Sequence, residues 1–176
     1  MKKIIAFSGS NSSKSINQQL INIVATMAKN TTVEILNIRD YPAIVYGIDE
    51  EETNGFPESM IAFNEKMKEA DGFIFSSPEH NGSMPAAFKN TLDWVSRMGG
   101  KIFKEKPTVF LSTSPGARGG ASVLDHLMTV MPHRGAKVVG GHPLGNFYEK
   151  VENGELKEGD DKVKIEALIQ ELESVI

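Results

Sequence analysis

Short apolar runs that end in glycine- and serine-rich turns, each followed by apolar residues at three- and four-residue spacing, limit most strongly how this chain can fold. Ile4 to Phe7 is the first such run and closes on Ser8-Gly9-Ser10. A parallel strand covered on both faces reads this way, because neither face requires polar residues. The period then changes. Ile16, Leu20, Ile23, Val24, Met27 and Ala28 define one helical stripe, with Ser15 placed to cap it.

The same alternation continues to the end of the chain. Thr32 to Ile38 reads as a strand, Glu58 to Glu69 as a helix, and Gly72 to Ser76 as a strand ending at Ser77-Pro78. Roughly Arg39 to Pro57 reads as a long loop carrying Asp49-Glu50-Glu51-Glu52, longer than most connections of this kind. A helix follows Pro85 through Phe88, Leu92, Trp94 and Val95 to Gly99-Gly100, and Pro107 opens a strand from Thr108 to Ser112. Gly119-Gly120 leads into a helix with Val123, Leu124, Leu127, Met128 and Met131. Lys137 to Val139 is the fifth strand, and Val163 to Val175 the closing helix. The expectation is an α/β fold of three layers, a doubly wound five-stranded parallel sheet between helices. Analogy with flavodoxin supplies the strand order 2-1-3-4-5.

Composition removes several function classes. The 176 residues suit one domain, residues 1–176, and no low-complexity segment divides them. A net charge of -4 gives no basic footprint for nucleic acid. Cysteine is absent, so redox chemistry through a protein dithiol or a thiolate metal site is excluded. His126, His133 and His142 form no compact ligand motif, and no metal is expected. The apolar run after Lys2-Lys3 stops too soon for a secretion signal, and no stretch has a membrane helix's length, so a cytoplasmic protein without a membrane partner is expected.

In an open parallel sheet, ligands bind beyond the carboxyl ends of the strands, which selects three loops. The first holds Ser10, Ser12, Lys14, Ser15, Ile16 and Asn17 at a helix N-terminus. Free backbone N–H groups, hydroxyls and one cation suit a phosphate there; a capped polar turn accounts for the same residues. No G-x-G-x-x-G or G-x-x-x-x-G-K-[ST] follows the strand, which disfavours a tightly held dinucleotide or ATP and leaves a monophosphate. The second loop holds Pro78, Glu79, His80, Asn81 and Gly82, a rigid turn whose N–H groups suit the edge of a flat heterocycle, with Glu79 as ligand contact or brace. The third holds Ser114, Pro115, Gly116, Arg118 and Gly119, small enough for a ring to approach the backbone, although an ordinary strand-to-helix turn has the same composition.

Taken together, the loops resemble the NADPH-dependent FMN reductases of the flavodoxin-like superfamily, over nearly the whole chain. Pro78-Glu79-His80-Asn81-Gly82-Ser83-Met84-Pro85-Ala86-Ala87-Phe88-Lys89-Asn90-Thr91-Leu92-Asp93-Trp94 is similar to that family's P-E-Y-N-x-S-x-P-x-x-L-K-N-x-x-D-W. Gly9, Ser10, Ser15 and Asn17 are in register with its G-S-x-R-x-x-S-x-N loop. The motif's arginine is absent from this loop, which leaves Lys14 as its cation, and His80 stands where the family has tyrosine.

The resemblance implies bound FMN, NADPH or NADH as reductant, and a second small-molecule electron acceptor such as a flavin, quinone or azo compound. The flavin carries the chemistry, so no residue is assigned as an acid or base. It also implies a homodimer or homotetramer bordered near the Pro85–Met98 helix, where Trp94 either packs a helix or lies in a subunit seam. Two alternatives remain open: a flavodoxin-type electron carrier without a nicotinamide site, and a cofactor-free binding module. The second and third loops lack Trp, Tyr and Phe, and an uncovered ring suits hydride entry better than it suits a carrier.

Overall fold

The computed structural model describes residues 1–176, and in it the alternation produces one parallel sheet of five strands in the order β2-β1-β3-β4-β5. The strands are β1 (Lys3–Ser8), β2 (Thr32–Asn37), β3 (Gly72–Ser77), β4 (Lys106–Thr113) and β5 (Ala136–Leu144). Strand β1 pairs in parallel with β2 and β3, so the chain leaves β1 toward one edge and returns past it to the other. The expected strand order is the observed one.

Side-chain alternation along the strands feeds two apolar layers. Ile5 and Phe7 of β1 point into one, with Phe73, Phe75 and Phe110, and Ile4 and Ala6 point into the other, with Ile74, Val109 and Leu111. Helices α3 (Glu58–Lys68), α4 (Ala86–Arg97) and α5 (Ala121–Val130) cover the first face; α1 (Ile16–Ala25) and α7 (Asp160–Val175) cover the second. Five phenylalanines, at positions 7, 75, 88, 103 and 110, meet within the first layer, mostly at tilted and edge-to-face angles with Phe7 and Phe103 stacked at 6.3 Å, arrangements that ring quadrupoles favour over a face-to-face sandwich.

Several boundaries differ from the sequence reading. The stripe expected to reach Ala28 stops at Ala25, and Met27 and Ala28 pack beside the helix as part of the chain's return to β2. The 39–57 connection contains a 3-10 turn, Ile38–Asp40, and a helix α2, Ile48–Asn54. None of the α2 residues is buried, so the helix carries no apolar stripe to reveal it; Asp49, Glu50 and Glu51 in its first turn favour it through the helix dipole.

Strand β5 runs to Leu144, well past Val139, through Gly140-Gly141-His142-Pro143. An edge strand tolerates a proline because one side of its ladder is unpaired. At Gly140 an added Cβ would lie 2.5 Å from Leu168 Cδ2, so a larger residue there would make that leucine side chain shift. Helix α7 starts three residues before Val163, at Asp160. A short helix α6 (Phe147–Lys150) and a hairpin of β6 (Val151–Glu152) and β7 (Glu155–Leu156), turning at Asn153-Gly154 with both φ positive, complete the chain. No helix is long and apolar enough to cross a membrane.

Candidate active site

At the carboxyl end of β1, the first loop satisfies itself with serines. Ser8 Oγ accepts from the Ser10 N–H, Ser10 Oγ from Ser12, and Ser12 Oγ from Lys14, at 3.2 Å each. Ser15 caps α1 as expected, its Oγ accepting from the Gln18 N–H at 3.1 Å. The N–H groups of Ile16 and Asn17 are left without a partner at the positive end of the helix dipole. Each serine hydroxyl that accepts one of these bonds keeps its own proton to donate. Lys14 is exposed and enters no ion pair.

Asn17 behaves differently from its neighbours. It is 2% exposed, and its Oδ1 accepts from Ser76 Oγ (2.7 Å) and the Thr113 N–H (3.1 Å), while its Nδ2 donates to the Thr113 carbonyl (3.0 Å). The side chain ties β1's loop to the ends of β3 and β4 and has no acceptor lone pair left over. Its backbone N–H and the second hydrogen of its Nδ2 have no partner within the chain.

Beyond β3, Pro78 and Glu79 lead into a tight reversal. His80 and Ser83 exchange both backbone hydrogen bonds, at 2.9 and 3.1 Å, around Asn81 (φ 52) and Gly82 (φ 75). Two positive φ values in succession make this a type I′ turn, which the Asn-Gly pair adopts with little strain. His80, Asn81 and Gly82 are exposed at its tip. Two contacts with α5 hold the turn up: Glu79 Oε2 accepts from the Val123 N–H at 3.1 Å, and Ser83 Oγ shares a 2.9 Å hydrogen bond with His126 Nδ1. Helix α5 starts at Gly120 with no side-chain cap of its own, so Glu79 supplies an anion at its N-terminus from another loop. His126 was not expected to matter here, since only its position on α5 under Ser83 reveals the role.

The third loop leans on the end of β5. The carbonyl of Gly116 accepts from the N–H groups of Gly119 and Asn146, and that of Ser114 accepts from Phe147. Gly119 has φ 60, and a Cβ on it would stand 2.6 Å from Leu144 and Gly145 backbone atoms, so close packing accounts for this glycine. Gly116 faces open space, its nearest neighbour to an added Cβ being Ser114 Oγ at 4.0 Å. Pro115 and Arg118 are exposed, and Arg118 donates to Ser122 Oγ at 2.8 Å.

Helix α4, which carries the longest motif, anchors the 39–57 connection. Asn90 Oδ1 accepts from the Tyr46 N–H at 2.8 Å, and its Nδ2 donates to the carbonyls of Ala43 and Ile44. Trp94 is fully buried and donates through Nε1 to the Ile44 carbonyl at 2.8 Å, so it packs within the subunit and is not in a seam. Glu51 of α2 takes a two-point contact from Arg97 and a third from the Tyr46 hydroxyl. The Arg97 guanidinium holds the Glu51 carboxyl below the usual carboxylate range.

The profile of the NADPH-dependent FMN reductase family matches residues 2–149. The chain belongs to that family. Among its curated relatives, a 2-hydroxy-1,4-benzoquinone reductase of Burkholderia sp is 35% identical over 73% of this chain and 69% of its own. An Escherichia coli K12 quinone reductase is 34% identical over 58% of this chain and 54% of its own. An NAD(P)H-dependent FMN reductase of Pseudomonas aeruginosa is 34% identical over 71% and 66% respectively. The chain thus spans between about half and about two thirds of these relatives' length. In fold it is similar to FerB, an NAD(P)H:(acceptor) oxidoreductase from Paracoccus denitrificans, with a TM-score of 0.78 and 24% identity over 99% of both chains. Within the family motif, Glu79, Asn90 and Trp94 thus brace the structure, and the exposed turn at its start faces outward.

Proposed function

We propose that this family member is an FMN-dependent NAD(P)H oxidoreductase, passing hydride from NADPH or NADH to bound FMN and then to a small planar acceptor such as a quinone, a flavin or an azo compound. The observation that supports this most directly is the pair of unpartnered N–H groups, Ile16 and Asn17, at the start of α1 among hydroxyls of Ser10, Ser12 and Ser15. A dianionic phosphate fits such a cradle: helix-end N–H groups point at it, and Lys14 adds a free positive charge.

When bound, FMN supplies the two-electron chemistry, accepting hydride from the nicotinamide and donating it onward. The chain's own residues hold and orient. The Asn81-Gly82 turn, with Pro78 and His80, offers backbone donors to the edge of the ring, and Glu79 keeps that turn fixed to α5. Ser114, Pro115 and Gly116 form the opposing wall, open at Gly116, with Arg118 and Gly119 behind it. No aromatic side chain in either loop covers the ring, which leaves a face for nicotinamide and acceptor in turn.

The quinone reductases and the FMN reductase among the relatives favour this reading over an electron carrier or a cofactor-free module. An absorbance spectrum of the FMN-loaded protein, followed anaerobically after NADPH addition, tests it. Flavin bands that bleach, and recover when a quinone is added, are expected. Bands that persist in both NADPH and NADH would overturn the reductase reading in favour of a carrier, and failure to retain FMN would favour the module.

Two further proposals accompany this reading. A homodimer or homotetramer bordered near α4 is supported by Ile44 and Val45, exposed by 58% and 79% beside that helix, and light scattering tests it. A cytoplasmic setting is supported by the reductant, since NAD(P)H pools are intracellular; cell fractionation tests it.

A further inference from the structure

The Asn81-Gly82 turn stands on two props from one face of α5. Glu79 Oε2 accepts from the Val123 N–H at 3.1 Å, and Ser83 Oγ meets His126 Nδ1 at 2.9 Å, about one helical turn further along. Glu79 and Ser83 both belong to the family motif that begins at Pro78, whereas His126 lies outside it and no motif position accounts for it. The props differ in chemistry. One is a carboxylate at a helix N-terminus; the other is an imidazole, the side chain that gains and loses a charge close to neutrality.

The Ser83–His126 contact survives either state of the ring. In a neutral imidazole, Nδ1 either donates to Ser83 Oγ or accepts from it; once both ring nitrogens carry protons, Nδ1 donates and Ser83 Oγ accepts. Ser83 is tied firmly to the tip of the turn, because it exchanges both backbone hydrogen bonds with His80 across Asn81-Gly82. His126 is half-buried, so solvent supplies its proton without the turn opening. Lys89 and Asp93 of α4 line the same small cleft as the ring and hold each other at 2.7 Å. Arg134 of the 3-10 turn Met131–Arg134 lines it too, while Glu79 bonds one turn back on α5 and Asp125 precedes His126 in the helix. Among these groups, the imidazole is the one whose charge varies near neutral pH.

We propose that His126 is a positioning residue for the flavin site, holding the Asn81-Gly82 turn through Ser83, and that a proton on its ring makes the site favour reduced over oxidised FMN. The inference rests on the reductase reading and deepens it by giving that site a dependence on pH. Hydride transfer from NAD(P)H moves two electrons and one proton to FMN, so the reduced flavin carries one more negative charge than the oxidised one. A cation on α5, behind the turn that offers its N–H groups to the ring edge, favours that charge; a neutral imidazole does not. The coupling is reciprocal, so reduced flavin favours the protonated ring to the same extent. Arg134 contributes the same field in both states and leaves the difference to His126.

Two measurements test the two halves of the proposal. Reduction potentials of the FMN-loaded wild type and H126N, titrated with dithionite against a reference dye, read the charge. The wild type is expected to exceed H126N at about pH 5.5 by about tenfold in the reduction equilibrium, about 30 mV for a two-electron couple, and to converge with it by about pH 8.5. His80 titrates at the tip of the turn in both proteins and cancels from the comparison. No gap, or a gap equal at both ends of the range, overturns the role of the proton. Hydrogen exchange at the His80 and Ser83 amides of the flavin-free protein reads the positioning. S83A and H126F are expected to exchange there at least about threefold faster with β1 amides unchanged, and H126N, whose amide reaches as far as Nδ1, to stay near wild type. Unchanged exchange in both S83A and H126F overturns the positioning role. Failure of NADPH and NADH to reduce the flavin overturns the reductase reading alone, since dithionite still gives the potentials.

Discussion

The first loop and the two that face it hold similar polar side chains but use them in opposite ways. In the first, serine hydroxyls accept from the backbone two residues on, and the N–H groups of Ile16 and Asn17 are left for something else. In the second and third, Glu79 is spent on α5, Ser83 on His126, and the carbonyls of Ser114 and Gly116 on the segment after β5. One loop keeps its donors; the others keep their shape. A buried or braced polar group contributes to stability, and an unpaired one at a helix end contributes to ligand affinity, so substitutions in the two regions are expected to register in different measurements.

The largest effect is expected where the motif is wholly structural. Trp94→Ala removes a fully buried indole and its hydrogen bond to Ile44, and a loss of about 3–5 kcal/mol in urea unfolding is expected. A cost below about 1 kcal/mol would mean that the 39–57 connection is held by other contacts. Next, Asn17→Ala strands Ser76 Oγ and the Thr113 N–H in a dry site, at a cost of roughly 2–4 kcal/mol. If Asn17 acted mainly through its amide on phosphate, the same variant would instead keep its stability and lose FMN.

These two residues also mark what the sequence could reveal. Strand order and layers follow from periodicity, because apolar runs and helical stripes directly report burial. The roles within the motifs do not. Asn17 and Ser15 sit two residues apart at the same helix start, and only the approach of β3 and β4 turns one into a brace and leaves the other a cap. Helix α2, with every residue at least partly solvated, leaves no apolar signal to read, and β5 is disguised by Gly140, Gly141 and Pro143, which its edge position and close contact with Leu168 permit. The Asn153-Gly154 pair is a legible signal for the small hairpin. The Ser83–His126 contact joins residues 43 positions apart, so no local pattern announces it.

Smaller effects sharpen the contrast between the loops. Glu79→Ala removes the carboxylate from the start of α5 and is expected to cost about 1–2 kcal/mol, with Glu79→Gln recovering part of it. Because the Asn81-Gly82 turn then loses a support, FMN affinity should fall with stability. Lys14→Gln should separate the two quantities: stability within about 0.5 kcal/mol of wild type, and FMN dissociation faster by up to about fivefold, in a salt-dependent way. An unchanged FMN affinity would put the phosphate elsewhere.

The least effect is expected at the Glu51–Arg97 pair, which joins α2 to α4 and acts only through pH. Arg97 lowers the Glu51 carboxyl pKa in the folded protein relative to its ordinary value near 4.3. The unfolded chain therefore takes up the proton first as acid is added. The contribution is fully present above about pH 4.3, and is lost as pH falls through the lowered folded value. Glu51→Gln should show a small, constant Tm deficit near neutrality that vanishes in stronger acid. Tyr46 bonds Glu51 and lies edge-on to Trp94 at 5.1 Å, so tryptophan fluorescence reports the same release. A Tm deficit that persists unchanged down to about pH 3 would mean that packing of the two side chains, not their charges, fastens α2 to α4.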